Sequence, residues 1–472
     1  MQTLSQYFLR KGAVAYFISL ALCCLLFMDN IMPWYGLIAG VVEILLFCFL
    51  APYWEVAWRN TDSRTFEKRV FGAALLFRLV WLFLYYYFTM AVWHTPWEQP
   101  IGSSMDSTGY FDEALWLDDL IRSHEIPAYI QYVRSGSISD AGYPVFLALW
   151  NFITGGSILF SRLPNVFFDA WTVILSYRLA KRNFDEKSAR LAALFVTLMP
   201  MLIFYSGLTM KESLMLMLSM WALERGDYII RSRRFALGPL VGFGVLALSV
   251  SLFRTALAWV IVLSFLCGVV ASSERIINKT RRFQIIIFVG LAGVLLFGGT
   301  VLTQLDELLG QYDSTGQNFE YRATRQGGNK LVKNLSKSVL FPILFTGPFP
   351  TMVAIEGQNV QQIQNGGYFI KNILSFFVIL AIVLLFLHKK WRGSVMILAY
   401  MLGYLVVLGL SSFAQSGRFH HPVIAAEMVV AAYGINLVKT RKLASFYDYF
   451  LVIECLIVIA WNAFKLKGRG LL

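Results

Sequence analysis

Apolar residues fill this chain in long blocks, each closed by a short polar stretch rich in Lys or Arg. The blocks approach the ~20 residues that an α-helix needs to cross a bilayer core. They lack the roughly ten-residue alternating segments of a transmembrane β-barrel. The pattern predicts spans over about 13–29, 32–53, 70–93, 161–180, 190–208, 213–224, 237–253, 255–271, 284–302, 366–388, 393–412, 422–438 and 446–464. Gly142 to Phe160 is also apolar, but a full crossing there would carry Lys181 and Arg182 to the side opposite the other basic loops. It is expected to be a re-entrant or surface-lying helix on the outer side, of the kind that survives at membrane depth only where protein or a cavity shelters it. The expected class is therefore all-α: a polytopic transmembrane bundle of about 12–13 spans with outer-face re-entrant or juxtamembrane helices.

Composition strengthens this picture. The chain is 57% hydrophobic and 15% charged, with a mean hydropathy of +0.61. A soluble domain carries about 25% charged residues. The net charge of +13 would suit nucleic acid if it were spread over one face. Instead the basic residues gather in short loops: Arg59/Arg64/Lys68/Arg69, Lys181/Arg182/Lys187/Arg190, Arg225/Arg231/Arg233/Arg234, Arg275/Lys279/Arg281/Arg282, Lys389/Lys390/Arg392 and Lys439/Arg441/Lys442. That is the signature of cytoplasmic loops, so no nucleic-acid partner is expected. The first apolar run, after Arg10-Lys11, reads as a retained signal anchor, and the last span leaves Lys465, Lys467 and Arg469 outside. Cys23, Cys24, Cys48, Cys267 and Cys455 all lie in apolar runs without metal-ligand spacing, and read as packing residues.

With the basic loops inside, the polar residues with chemical potential fall on the outer side, although they were not used to set the topology. The first group is Met105-Asp106-Ser107-Thr108-Gly109-Tyr110-Phe111-Asp112-Glu113, with Asp118-Asp119 beyond it. Asp106 is a candidate general base or divalent-metal ligand. The other four acids read as the polar face of a surface helix. Ser139-Asp140-Ala141-Gly142-Tyr143-Pro144 opens the expected surface helix, with Pro144 in its first turn. Arg162-Leu163-Pro164-Asn165 opens the next span, where Arg162 would snorkel or meet a phosphate. Lys211-Glu212 stands between two apolar runs: Lys211 could hold a phosphate, and Glu212 could be a second metal ligand or half of an ion pair. Arg254 interrupts another apolar stretch and calls for an anionic partner. Gln415 to His421 places Arg418 beside His420 and His421, an anion-binding group without zinc spacing. The loop over 303–365 contains Arg322, Arg325, Gln326-Gly327-Gly328-Asn329 and Gly347-Pro348-Phe349-Pro350, and suits a lid or an acceptor-binding element, with a second interfacial helix over Phe341 to Ala354. Glu43, Glu454 and Arg78 read as interhelical pairs or snorkelled ends.

The order of these features resembles the GT-C superfamily of polyprenyl-phosphate-dependent membrane glycosyltransferases. The features are the acid of the first large outer loop, the Tyr-Pro helix, Arg162 to Asn165 opening a span that ends Tyr177-Arg178-Leu179-Ala180-Lys181-Arg182-Asn183-Phe184, and then Ala189 to Tyr205 with an acid beyond. The likeness is clearest over 70–225, and Arg418 to Gly434 resembles the family's late outer-loop arginine and following span. The resemblance implies Asp106 as catalytic acid or base, Glu212 as a helper to Asp106 in holding Mg²⁺ or Mn²⁺, and Tyr110, Lys211, Arg254, Arg418, His420 and His421 as substrate-binding residues. Lys-Glu at 211–212 departs from the family's Asp-led motif.

It also implies a two-span N-terminal addition (1–69), a catalytic core (70–302), a long periplasmic loop (303–365) and C-terminal spans (366–472). The partners implied are a polyprenyl-phosphate-linked sugar donor, a lipid or glycan acceptor and the bilayer. The place implied is the outer face of a bacterial inner membrane, in cell-envelope glycan synthesis. Lys211-Glu212, Arg254 and Gly347 to Pro350 resemble envelope-polysaccharide polymerases as well, so a polymerase or ligase of lipid-linked oligosaccharides is the neighbouring expectation. A lipid-linked sugar flippase is the non-catalytic one, and would place its polar residues in a mid-membrane cavity.

Overall fold

The computed structural model describes residues 3–98, 106–135, 138–232, 237–271, 346–410, 416–438 and 440–472. The expected span 284–302, the loop residues Arg322 to Asn329, the basic cluster Arg275 to Arg282, and Gln415 lie outside them. The side chains of Ser139 and Asp140 are likewise outside what is described.

The described chain is helical: α1 (Leu4–Leu26), α2 (Trp34–Ala57), α3 (Ser63–Val92), α4 (Asp106–Arg122), α5 (Ile126–Ser135), α6 (Ile138–Thr154), α7 (Ile158–Asn183), α8 (Glu186–Leu198), α9 (Pro200–Ser206), α10 (Glu212–Arg231), α11 (Leu237–Ser251), α12 (Thr255–Ala271), α13 (Asn359–Ile363), α14 (Asn365–Leu387), α15 (Val395–Leu410), α16 (Gly417–Leu437) and α17 (Arg441–Lys467). Extended pairing among the described residues is limited to an isolated bridge between Ile31 and Val353.

Six of these helices (α1, α2, α3, α7, α14 and α17) are long and apolar enough to cross a membrane, and α8–α9 makes a seventh if its bent pair is one span. This is a multi-pass membrane protein, with fewer full-length crossings among the described residues than the apolar blocks predict. The shortfall has two sources. The helices over 237–251, 255–271 and 395–409 are apolar but short. The α10 and α16 helices are long, but they carry buried charged and polar residues such as Glu224, Asp227, His421 and Glu427.

The interior is built by α7, α8, α10, α14 and α16, which pack on one another. The N-terminal pair packs on the C-terminal spans, α1 against α17 and α2 against α14. Glu43 of α2 accepts from the Gly367 amide at 2.8 Å, satisfying a free N–H at the start of α14. Gly40 permits this approach, because a Cβ there would collide with the Tyr16 hydroxyl and the Asn365 side chain.

Three local expectations change. The apolar segment over 142–160 is not continuous: α6 stops at Thr154, Gly155 and Gly156 take φ of 80° and 74°, and Phe160 belongs to α7. Because α6 starts at Ile138, Pro144 lies inside it and not in its first turn. In the described part of the second expected interfacial helix Thr346 is helical, and Gly347 to Ala354 is irregular chain, buried as far as Val353. It is held by side chains. Lys371 Nζ donates to Gly347 O at 2.5 Å, Asn462 Nδ2 to Pro350 O at 3.1 Å, and Lys465 Nζ to Thr351 Oγ1 at 2.5 Å. Irregular backbone at membrane depth persists only with such partners. The same bonds explain the basic end of α17: Lys465 serves this segment, and Arg469, just past the helix, reaches Glu356 O at 2.8 Å.

The two ends of the bundle differ in kind. At one end the basic loops meet. Arg190 donates to Thr61 O at 2.7 Å, Arg178 pairs with Glu67 at 2.7 Å, Arg182 with Glu224 at 2.8 Å, and Arg231 reaches Gly393 O at 2.5 Å. The other end carries the candidate chemistry.

Candidate functional site

The site grows from a turn. Pro200 has no N–H to offer Val196 O, and α8 and α9 meet at a 49° bend. The chain then turns through Gly207 to Met210 before α10 begins at Glu212. Residues of the Arg162-to-Asn165 motif fix this turn. Asn165 Nδ2 donates to Leu208 O at 2.8 Å and Met210 O at 2.9 Å, and Arg162 Nε to Thr209 Oγ1 at 3.2 Å. Arg162 is therefore a buried structural anchor at this end and does not snorkel. Lys211 and Glu212 follow directly, both buried.

Arg418, at the start of α16, binds Glu212 through Nε and Asp106 through Nη1. Segments about a hundred and two hundred residues apart in sequence thus converge on one guanidinium. The two acids are unequal: the Glu212 side chain is 0% exposed and that of Asp106 56%. Glu212 Oε2 has no hydrogen-bond partner.

The remaining expected residues surround this bridge. Lys211 Nζ donates to Phe253 O at 2.9 Å and stands 5.6 Å from the centre of the Tyr110 ring. Tyr110 packs edge-on against Tyr143 at 5.5 Å. Arg254 donates to the Tyr404 hydroxyl at 2.8 Å and lies over Phe419 at 4.5 Å. It therefore has no carboxylate partner among the described residues, and the Glu212 charge acts on it only through space. His420 and His421 are both buried; the His421 ring meets Tyr205 edge-on at 4.9 Å, and neither of its nitrogens has a partner.

Two of the other four acids of the first outer loop do structural work, while Asp112 and Asp119 are exposed. Asp118 pairs with Arg122 at 3.1 Å, and Glu113 accepts from the Tyr129 hydroxyl at 3.1 Å. Burial first, then the Glu113 carboxylate, raises the Tyr129 phenol well above its ordinary range. Asp118 is buried, which the surface-helix reading did not anticipate.

Asp106 and Glu212 are the carboxylates expected to hold a divalent cation. Both now face Arg418, and no group of three or more His, Cys, Asp or Glu side chains among the described residues could hold a metal. Two carboxylates fit Mg²⁺ or Mn²⁺ only in the sparse manner in which solvent and substrate oxygens complete the shell. Glu212 Oε2 is the unpartnered oxygen such an ion could use.

One feature escaped sequence reasoning. Glu98, buried beside the site, accepts from Ser107 at 2.6 Å. Its place directly after Trp97 at the end of a span was the available signal. Arg78 makes an interhelical pair, one of the two readings its sequence offered, with Asp169 of α7 at 2.7 Å in the bundle interior; the sequence did not name the partner.

No family model matches this chain, and neither the curated proteins nor the solved structures contain a match to it.

Proposed function

We propose that this protein is a membrane glycosyltransferase of GT-C type. It moves a sugar from a polyprenyl-phosphate-linked donor to a lipid or glycan acceptor on the outer face of a bacterial cytoplasmic membrane. The carrying observation is the convergence of Asp106 and Glu212 on Arg418, with Lys211 and Arg254 close by at the same end of the bundle.

The chemistry follows from the charges. The acceptor hydroxyl oxygen forms a bond to the anomeric carbon, whose bond to the phosphate oxygen breaks. The hydroxyl proton passes to Asp106, the more exposed acid, and the lipid phosphate leaves as an anion. Arg418, Arg254 and Lys211 supply the positive field that stabilises that anion, the largest electrostatic demand of the step. Tyr110, His420 and His421 complete the walls. Where a divalent cation takes part, Asp106 and Glu212 would hold it and it would add charge at the phosphate. Chelation with EDTA, followed by Mg²⁺ or Mn²⁺ add-back, tests that part.

The test of the whole reading uses purified protein in liposomes with radiolabelled decaprenyl-phosphoryl sugars and endogenous envelope glycans. Asp106→Ala should abolish transfer while the protein still elutes as a folded species. Wild-type turnover in that variant overturns the assignment. A ladder of products in place of one added sugar identifies the polymerase form. Movement of the lipid across the bilayer without covalent change identifies a flippase.

A further inference from the structure

A second set of polar groups lies beside the Asp106–Arg418–Glu212 bridge, and one of them, Glu98, acts on Arg418 and Glu212 through space. The two carboxylate oxygens of Glu98 accept from the Ser107 hydroxyl, each at 2.6 Å. Arg162 spends Nε on Thr209 and Nη2 on Pro96 O at 2.6 Å, while Nη1 is buried with no partner. The Trp97 ring centre lies 5.9 Å from its guanidinium carbon, and the Tyr85 hydroxyl is also buried without a partner. Glu98, Arg162 and Tyr85 act on one another electrostatically, yet no ion pair joins Glu98 to Arg162 among the described residues. Opposite charges and an orphan hydroxyl, buried together but not closed on one another, are costly unless a further polar group meets them.

The chemistry of that group is constrained. An anion would be repelled by Glu98 and a cation by Arg162, and an apolar group would leave Arg162 Nη1 and the Tyr85 hydroxyl unmet. A neutral polyol meets each of them. Its hydroxyls donate to the Glu98 carboxylate and accept from Arg162 Nη1 and the Tyr85 hydroxyl, and the C–H face of a sugar ring suits the Trp97 indole.

We propose that Glu98, Arg162, Tyr85 and Trp97 form a subsite for a neutral sugar ring, next to the cationic groups that meet the phosphate. The proposal rests on the glycosyltransferase reading for the source of the sugar, carried either by the donor lipid or by a free glycan acceptor.

Thermal shift of the full-length protein in detergent tests it with three probes. These are decaprenyl phosphate alone, decaprenyl-phosphoryl glucose, mannose and galactose, and the corresponding free methyl glycosides. In the wild type the phosphate should raise Tm, and at least one sugar-bearing probe should add to that rise. An extra rise with the glycosylated lipids assigns the donor sugar, and a rise with the free glycosides assigns the acceptor. Glu98→Gln and Trp97→Ala should lose the sugar-dependent increment and keep the phosphate response. Arg162→Lys is the corresponding change at the guanidinium; because Arg162 also anchors the 208–210 turn, the Glu98 and Trp97 variants keep the test decisive if that protein does not fold. The subsite is overturned if no sugar increment appears in the wild type, or if Glu98→Gln and Trp97→Ala both retain it. A wild type that ignores decaprenyl phosphate as well defeats the glycosyltransferase reading itself.

Discussion

Two arginines organise this bundle, and they are used in opposite ways. Arg78, in the middle of α3, is fully buried. It donates Nε to Asp169 at 2.7 Å, Nη2 to Val196 O at 3.1 Å, and Nη1 to Thr197 O at 3.1 Å and Ala74 O at 3.2 Å. Val196 O is the carbonyl that Pro200 cannot serve, so the guanidinium repairs the break in α8–α9 as well as neutralising Asp169. Arg418 likewise holds two groups, but one of them, Asp106, is more than half exposed; the other, Glu212, keeps an unpartnered oxygen, as Asp169 does at the first arginine. The first arginine is enclosed by the fold. The second is open toward solvent, with cations and orphan polar atoms around it. In a low-dielectric interior an enclosed ion pair reads as structure, and one that reaches solvent beside further cations as a place for a ligand.

The largest expected effect separates the two. Asp169→Ala leaves the Arg78 charge buried without its counterion, a loss of roughly 3–5 kcal/mol. The protein should fail to accumulate or should aggregate on extraction, as judged by gel filtration. Glu212→Gln at the other centre should extract and elute like the wild type. If both variants behave alike, the distinction between the two centres fails.

Next is catalysis. Glu212→Gln keeps shape but weakens a charge-assisted bond to Arg418, worth about 1.5–3 kcal/mol. Transfer should fall roughly ten- to a hundredfold, with Tm little changed. Asp106→Asn should fall further if Asp106 takes the proton and Glu212 only positions Arg418. Equal losses would mean that both acids act through the arginine alone.

Much of this end of the molecule was legible in the sequence. Lys and Arg in short loops set the sidedness, and sidedness alone put Asp106, Lys211, Glu212, Arg254 and Arg418 together. What could not be read was pairing. Nothing local to Arg418 says that it faces Asp106 and Glu212, or that Arg254 chooses the Tyr404 hydroxyl over a carboxylate, because those choices depend on helix rotation and depth. The end of the surface segment was misplaced for a local reason: Gly155-Gly156 was passed over inside an apolar run, although paired glycines readily supply the positive φ that ends a helix. Irregular chain over 347–354 was also hidden, since its partners, Lys371, Asn462 and Lys465, lie on two other helices.

The smallest expected effect lies at the basic end. Arg178 pairs with Glu67 at 2.7 Å, but its side chain is 44% exposed, so solvent and salt screen the pair. Such contacts contribute at most about 1 kcal/mol. Arg178→Ala should therefore shift Tm by no more than about 2–4 °C and leave transfer unchanged. The same change should matter even less at high salt, where the wild-type pair is already weakened. This variant carries information because it removes a well-formed arginine–carboxylate contact from the same kind of residues that make the site. If losing it disables transfer, geometry alone does not distinguish the two ends, and the site assignment would have to rest on something other than exposure and unmet polar atoms. If transfer survives, what marks Arg418 is not that it pairs with acids but that it joins a buried acid to an exposed one beside further cations.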